Sequence, residues 1–197
     1  MADTKSRPTG LRERKKLRTR QALAQAALQL CLQRGFDAVT VAEIADAAEV
    51  SVTTLFSYFA SKEALLFDLE PQIDAELAAV VRDRPAGQDM LEAVRTYLLT
   101  LPPWDPAMRT QYQQFSALVQ NTPALSSYWQ QMWMAHADTL ANAIAAEDGL
   151  DEPDLRSRAI AKFVVVAAML AEREHDPSGA LTQTLELLRA GLGTHNA

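Results

Sequence analysis

The chain has 197 residues, of which 48% are hydrophobic and only one, Cys31, is a cysteine. This length is sufficient to bury a core, and a single cysteine excludes an internal disulfide and argues against a structural zinc site. No uncharged stretch reaches the roughly 18 residues that a bilayer crossing requires, and the charged N-terminus has no apolar signal segment. We therefore expect a cytoplasmic protein with no membrane partner.

The charge is distributed very unevenly along the chain. The net charge is −6, but residues 1–34 hold nine Lys and Arg against two acidic residues, a net +7. The remaining residues hold ten basic and 23 acidic side chains, a net −13. This asymmetry favours a basic arm that meets a polyanion and an acidic body that does not. The alternative is a solvated, disordered basic tail.

The first predicted helix begins at Leu11 and ends before Gly35, which suits the position after a helix C-terminus. Its first turns are crowded with cations, although cations at a helix N-terminus oppose the helix dipole. Because these charges are unfavourable for the helix, we infer that they bind an anionic partner. The candidates for phosphate contact are Arg14, Lys15 and Arg18.

Two short helices follow, joined by a tight turn, within residues 40–62. Thr40 and Glu43 form the spacing of a capping box, and Ser51 is a suitable N-cap for a helix over residues 52–59. In that helix Leu55 faces inward and hydroxyl and aromatic side chains face outward. Such groups can contact phosphates and base edges, so the pattern predicts a helix-turn-helix whose last helix reads DNA. The outward residues are Thr53, Thr54, Ser57 and Tyr58, whereas Val52 and Phe59 face inward with Leu55; Ser51, at the N-cap, is a further candidate for DNA contact.

Residues 13–66 resemble the tetracycline-repressor (TetR) family of bacterial transcription regulators. The resemblance rests on the basic helix, the pair Gly35-Phe36, and the motifs TVAEIA at 40–45, LFSYF at 55–59 and SKEAL at 61–65. It departs from the family pattern in the turn, where Glu49 replaces the usual glycine, and after Leu55, where Phe56 replaces the usual tyrosine.

The resemblance implies an all-α homodimer with an N-terminal, homeodomain-like three-helix DNA-binding domain, here residues 1–60. A helical ligand-binding and dimerisation domain, here residues 61–197, would complete about nine helices. The resemblance also implies that Thr40 and Lys62 contact phosphates. The residues that it places at the major groove or its edge are Val52, Thr53, Thr54, Phe56 and Tyr58. Because that face lacks Arg, Gln and Asn, we expect direct base readout to be modest, with more weight on phosphate contacts, methyl contacts and DNA shape.

Helical periodicity continues through the body. We predict a fourth helix from residue 61, kinked at Pro71, and further helices at about 89–101, 106–120, 123–147, 153–174 and 180–190. The last two helices carry more apolar residues than one face can bury. A homodimer through residues of about 152–174 and 180–190 would bury the surplus, as the resemblance implies; the alternative is a central helix within a monomer.

Aromatic, methionine and histidine side chains cluster in the middle of the body. Trp129, Trp133 and His136 share one helix face, since they are spaced four and three residues apart. The group predicts a pocket for an apolar or aromatic small-molecule effector, while plain core packing is the alternative. Its candidate members are Tyr97, Trp104, Met108, Tyr112, Phe115, Trp129, Met132, Trp133 and His136.

No motif for catalysis, a cofactor or a metal is present: the chain has no Gly-rich phosphate loop, no HExxH and no CxxC. Glu172 and His175 have a metal-ligand spacing, but di-iron bundles need two such motifs. We therefore predict a non-enzymatic, homodimeric repressor released from a palindromic double-stranded DNA operator by a small molecule. The alternatives are a helical ligand-binding or protein-interaction scaffold without specific DNA binding, and a TetR-like activator.

Overall fold

In a computed structural model, residues 10–68, 70–102, 104 and 109–193 are described. Within these ranges all regular structure is helical, as predicted: nine α-helices and one turn of 3-10 helix. The chain forms two compact units that divide between residues 68 and 69. Residues 61–68 thus belong with the first unit, while the predicted functional division after residue 60 stays a prediction.

The first unit contains α1 (Leu11–Arg34), α2 (Val41–Ala47), α3 (Val52–Phe56) and the 3-10 turn Glu63–Leu65. The helix boundaries follow from local chemistry. Gly35 ends α1 with a φ of 82°, a conformation that glycine adopts without steric cost, and its N–H donates to the carbonyl of Cys31. The predicted capping box is present at α2, and Ser51 caps α3.

Helix α3 is shorter than predicted. It ends at Phe56, although the hydrogen bond from Phe59 N to Leu55 O continues the helical path for one turn. The Ser57 hydroxyl donates to the carbonyl of Thr54 at 2.6 Å, and such side-chain bonds compete with helical hydrogen bonds.

The prediction of one kinked helix starting at residue 61 is wrong. Ser61 caps only the 3-10 turn, through a hydrogen bond from Ala64 N to its hydroxyl. The next helix, α4, begins separately at Glu70 and ends at Arg82. Pro71 lies in its first turn, where the N–H groups have no partner within the helix, so proline causes no break there.

The second unit consists of α4, α5 (Met90–Leu98), α6 (Arg109–Gln120), α7 (Pro123–Glu147), α8 (Leu155–Ala171) and α9 (Pro177–Gly193). The prediction for α7 is confirmed at both ends. By contrast, α9 begins three residues before its predicted start, because Asp176 caps it by accepting from Gly179 N and Pro177 suits the first helical position. The predicted end of α8 at 174 is three residues too late.

Helix α7 is the centre of the second unit. It packs against α4, α6 and α8, while α9 packs against α8 and α5. Leu125 and Leu140 on α7, Leu77 on α4, Ile160 on α8 and Leu181 on α9 are fully buried between these helices. A layered helical core of this kind holds the side chains of α7 in fixed positions. Among the described residues, no helix combines the length and apolar character needed to cross a membrane.

Candidate functional site

Helix α3 presents one buried and one exposed face. Leu55 is fully buried, whereas Thr53 is exposed and the side chains of Val52 and Phe56 are 39% and 51% exposed. The prediction from helical spacing that Val52 packs inward is therefore wrong. Thr54 and Tyr58 are half-buried beside them.

Several hydroxyl groups that are predicted to contact DNA already form hydrogen bonds within the first unit. Ser51 Oγ accepts from Thr54 N and lies 2.8 Å from Thr54 Oγ1. The Thr40 hydroxyl accepts from Glu43 N and donates to Glu43 Oε2. These hydroxyls hold the helix starts, and Thr53 is exposed beside them at the start of α3.

The basic residues of α1 divide into two groups. Arg14, Lys15 and Arg18 are exposed. The guanidinium of Arg20, by contrast, lies 2.5 Å from Asp68 Oδ1, donates to the carbonyl of Tyr58 and covers the ring of Phe59 at 4.6 Å. Arg20 therefore stabilises the fold of the first unit, while the other three leave their charge available to an anion.

Lys62 is also engaged within the first unit. Its ammonium group donates to the carbonyl of Phe36 at 2.5 Å and lies 3.9 Å from the centroid of that ring. This arrangement ties the 3-10 turn to the end of α1. A contact from Lys62 to phosphate stays a prediction.

In the second unit, the chain's three tryptophans gather around His136. The centroids of Trp104 and Trp133 are 6.0 Å apart, those of Trp129 and Trp133 are 6.1 Å apart, and those of Trp133 and His136 are 5.3 Å apart. The rings meet edge to face, the arrangement that aromatic quadrupoles favour. We call Trp104, Trp129, Trp133 and His136 the aromatic cluster; all four residues and Met132 are buried. Met108 lies outside the described residues.

His136 is fully buried, and Asp74 of α4 fixes its ring. His136 Nδ1 lies 2.7 Å from Asp74 Oδ1. The other ring nitrogen, Nε2, is buried and has no hydrogen-bond partner in the described part of the chain, and the same holds for the indole nitrogens of Trp104 and Trp133. Tyr97 is half-buried, and burial, followed by the Glu76 carboxylate, raises the pKa of its hydroxyl.

Tyr112 and Phe115 of α6 adjoin this region, with their ring centroids 5.8 Å apart. The Tyr112 hydroxyl donates to Glu172 Oε1 at 2.7 Å, and Ser116 donates to the same oxygen. Burial is the main reason that the pKa of Glu172 is raised, and burial also raises that of Tyr112. Beside Glu172 lies an open cleft of about 600 Å³, lined by Gln113, Ser116, Ala117, Gln120, Ser126, Glu172, Arg173 and Glu174.

The last two helices keep part of their apolar surface exposed. On α8, Phe163 and Leu170 are each 59% exposed and Val166 lies between them on the same face; on α9, Leu187 is 68% exposed. The opposite faces, with Val164 and Leu185, are buried. These side chains stay in contact with water unless another surface covers them.

Two family models match the sequence. The model for bacterial regulatory proteins of the tetR family matches residues 23–69, and that for the MftR C-terminal domain matches residues 88–194. The second match covers more than half of the chain. The protein belongs to the tetR family. The resemblance noted from residues 13–66 is thereby confirmed and extended to the second unit.

Curated relatives of this tetR-family protein are transcriptional regulators, in agreement with the prediction of a DNA-binding regulator and not an enzyme. The chain is 34% identical over 183 residues to the HTH-type transcriptional regulator TcmR of Streptomyces glaucescens, covering 87% of this chain and 80% of TcmR. It is 26% identical over 191 residues to the putative mycofactocin biosynthesis transcriptional regulator MftR of Mycobacterium tuberculosis, covering 93% and 96%.

Solved structures show the same fold. Thermus thermophilus FadR, a TetR-family repressor crystallised with lauroyl-CoA, is 27% identical with a TM-score of 0.55, covering 86% of this chain and 92% of FadR. Pseudomonas aeruginosa NalD has a TM-score of 0.56 at 20% identity, covering 89% and 97%. Both support the all-helical tetR architecture.

Sequence reasoning missed two acidic residues of the second unit, Asp74 and Glu172. Asp74 lies three residues before the buried Leu77 on α4, so its position on the inner face was readable from the helical period. Glu172 was considered only as a metal ligand. In the structure its carboxylate instead accepts hydrogen bonds from α6.

Proposed function

We propose that this tetR-family regulator is a homodimeric repressor that acts in the cytoplasm and leaves a palindromic operator when an organic small molecule binds its second unit. One combination of features carries the proposal. The first unit exposes a helix-turn-helix face with apolar and hydroxyl groups, and the second unit buries all three tryptophans of the chain around His136.

In this proposal the first unit supplies both affinity and specificity. Arg14, Lys15 and Arg18 are exposed cations that neutralise phosphates. Thr53 and Phe56 enter the major groove, where a threonine or phenylalanine contacts thymine methyl groups. Ser51 and Thr40 hold the starts of their helices against the DNA backbone, and Val52, Thr54, Tyr58 and Lys62 border this surface.

The dimer is supported by the exposed apolar residues of α8 and α9. Phe163, Leu170 and Leu187 lose contact with water when a second copy covers them, and each such side chain contributes roughly 1.5–3 kcal/mol when fully buried. One short recognition helix is expected to bind DNA weakly. A dimer with a two-fold axis contacts two half-sites at once, which multiplies the affinity.

The effector site is supported by the aromatic cluster and by the family. FadR, a repressor of the same family, was crystallised with the organic ligand lauroyl-CoA. In this chain the residues proposed to line the site are Tyr97, Trp104, Met108, Tyr112, Phe115, Trp129, Met132, Trp133 and His136. Their apolar and aromatic character suits an apolar or aromatic molecule.

The function is tested with the full-length protein and a fluorescent DNA fragment from upstream of its own gene. Binding should persist over excess competitor DNA and should fall steeply as salt rises, because phosphate contacts release counterions. Equal affinity for the upstream fragment and for random DNA would overturn the repressor proposal.

Two matched variants sharpen this test. Thr53→Ala removes an exposed hydroxyl and methyl from α3 and should weaken binding to the preferred fragment, with little change for random DNA. Ser127→Ala removes an exposed hydroxyl from α7 and should leave both affinities unchanged. If the two variants behave alike, α3 is not the reading element.

A further inference from the structure

Three contacting rings of the aromatic cluster bury polar atoms that nothing in the described part of the chain satisfies. These atoms are Trp104 Nε1, Trp133 Nε1 and His136 Nε2. Their side chains are almost completely buried, and the ring centroids are 6.0 and 5.3 Å apart. Each such buried atom costs about 1–3 kcal/mol, so three within one ring group favour a partner that is not part of the protein.

The hydrogen-bonding character of these atoms follows from chemistry. An indole N–H can only donate, so Trp104 and Trp133 each require an acceptor. His136 Nδ1 lies 2.7 Å from Asp74 Oδ1, and an ionised carboxylate can only accept. Nδ1 therefore carries the hydrogen, and in the neutral form of the ring Nε2 is an acceptor that requires a donor.

We propose that the effector is a planar aromatic compound with a phenolic hydroxyl and a carbonyl or ether oxygen. The hydroxyl donates to His136 Nε2, and the oxygen accepts from one or both indole N–H groups. This assignment rests on the proposed effector site and adds the ligand's chemical class.

Asp74 determines which ligands are accepted. Its carboxylate holds the imidazole in the tautomer that accepts at Nε2. A methyl ether in place of the phenol has no hydrogen to donate and would leave Nε2 buried and unsatisfied. Such a site discriminates strongly between the two compounds, because its own polar atom stays unpaired with the wrong one.

The test compares umbelliferone with its methyl ether, herniarin. Both are planar and carry a lactone carbonyl, and they differ at the hydroxyl. Binding to the DNA-free protein near pH 7 is measured by equilibrium dialysis and by quenching of tryptophan fluorescence, which reports directly because all three tryptophans are in the cluster. Umbelliferone should bind about tenfold more tightly.

Two variants test whether His136 and Asp74 cause the preference for umbelliferone. In Asp74→Asn the amide can donate to His136 Nδ1, which favours the tautomer with a hydrogen on Nε2. The ratio of the herniarin and umbelliferone dissociation constants should then fall towards one. His136→Phe keeps an aromatic ring but has no ring nitrogen. It should abolish the preference while retaining herniarin binding. Asp138→Asn, an exposed aspartate on α7, is the matched control and should keep the wild-type ratio.

Equal affinities for the two compounds in the wild-type protein, or binding of neither, would overturn the ligand class. That outcome leaves the DNA-binding results intact. Conversely, a tenfold preference without any release of the operator fragment would support the ligand class and contradict the proposed release mechanism.

Discussion

The carboxylate of Glu43 accepts from the backbone N–H of Thr40 at 2.8 Å, while the Thr40 hydroxyl accepts from Glu43 N at 3.2 Å. The two residues therefore satisfy each other's free backbone donors at the start of α2. Hydrogen bonds from Thr40, together with the Arg34 guanidinium at 2.8 Å, lower the pKa of Glu43 to about 2. The same arrangement links the end of α1 to the start of the helix-turn-helix.

Replacing Thr40 with alanine should destabilise the protein by about 1 kcal/mol, the usual cost of losing an N-cap. Thr40→Ser keeps the hydroxyl and should remain close to wild type. Urea unfolding followed by circular dichroism measures both variants. If alanine and serine were equally stable, the capping box would contribute nothing to the fold of the first unit.

Replacing Glu49 with glycine should stabilise the protein by about 1 kcal/mol, because the turn holds this residue at a φ of 56°, where a side chain is strained. Among the described residues it is the one non-glycine with positive φ. The sequence motif already indicated a site that glycine usually occupies.

Glu49→Ala is the matched control for this effect. It removes the exposed carboxylate but keeps Cβ, so it should show no comparable gain in thermal unfolding. An equal gain for alanine and glycine would mean that charge, and not backbone strain, limits the turn.

Local signals predicted several helix boundaries, whereas the contacts between distant parts of the chain could not be predicted. Thr40, Ser51 and Gly35 act within one turn of their own position, so their roles are visible in the sequence. Asp74 and His136 are 62 residues apart, and no periodicity connects them. The kink was predicted at Pro71 and the last helix was predicted to start after Pro177, because proline is compatible both with ending a helix and with its first turn.

Replacing Phe163 with glutamate should prevent dimerisation. If this exposed residue of α8 is buried between two copies, an unpaired charge there costs about 3–5 kcal/mol, which raises the dimer dissociation constant by more than about a hundredfold. Sedimentation velocity measures the change, and circular dichroism should show an unchanged helical content.

Leu150→Glu is the control for the dimer, since Leu150 is also exposed but lies between α7 and α8. It should leave the sedimentation coefficient at the wild-type value. A wild-type protein that sediments as a monomer, or a Phe163→Glu variant that stays dimeric, would contradict the proposed interface.

Replacing Glu172 with glutamine should stabilise the protein more at pH 7 than at pH 4. Burial raises the pKa of Glu172 above its ordinary 4.5, so the folded protein keeps a proton that the unfolded chain loses. The resulting stability is fully present below about pH 4.5 and is lost as pH rises through the folded pKa. Glutamine does not titrate, keeps an oxygen for the Tyr112 hydroxyl and removes this loss.

Urea unfolding at several pH values tests the sign of this effect, and the variant Glu174→Gln, at an exposed position, is the control. A gain in stability that is constant with pH would show that the Glu172 carboxylate does not titrate with folding.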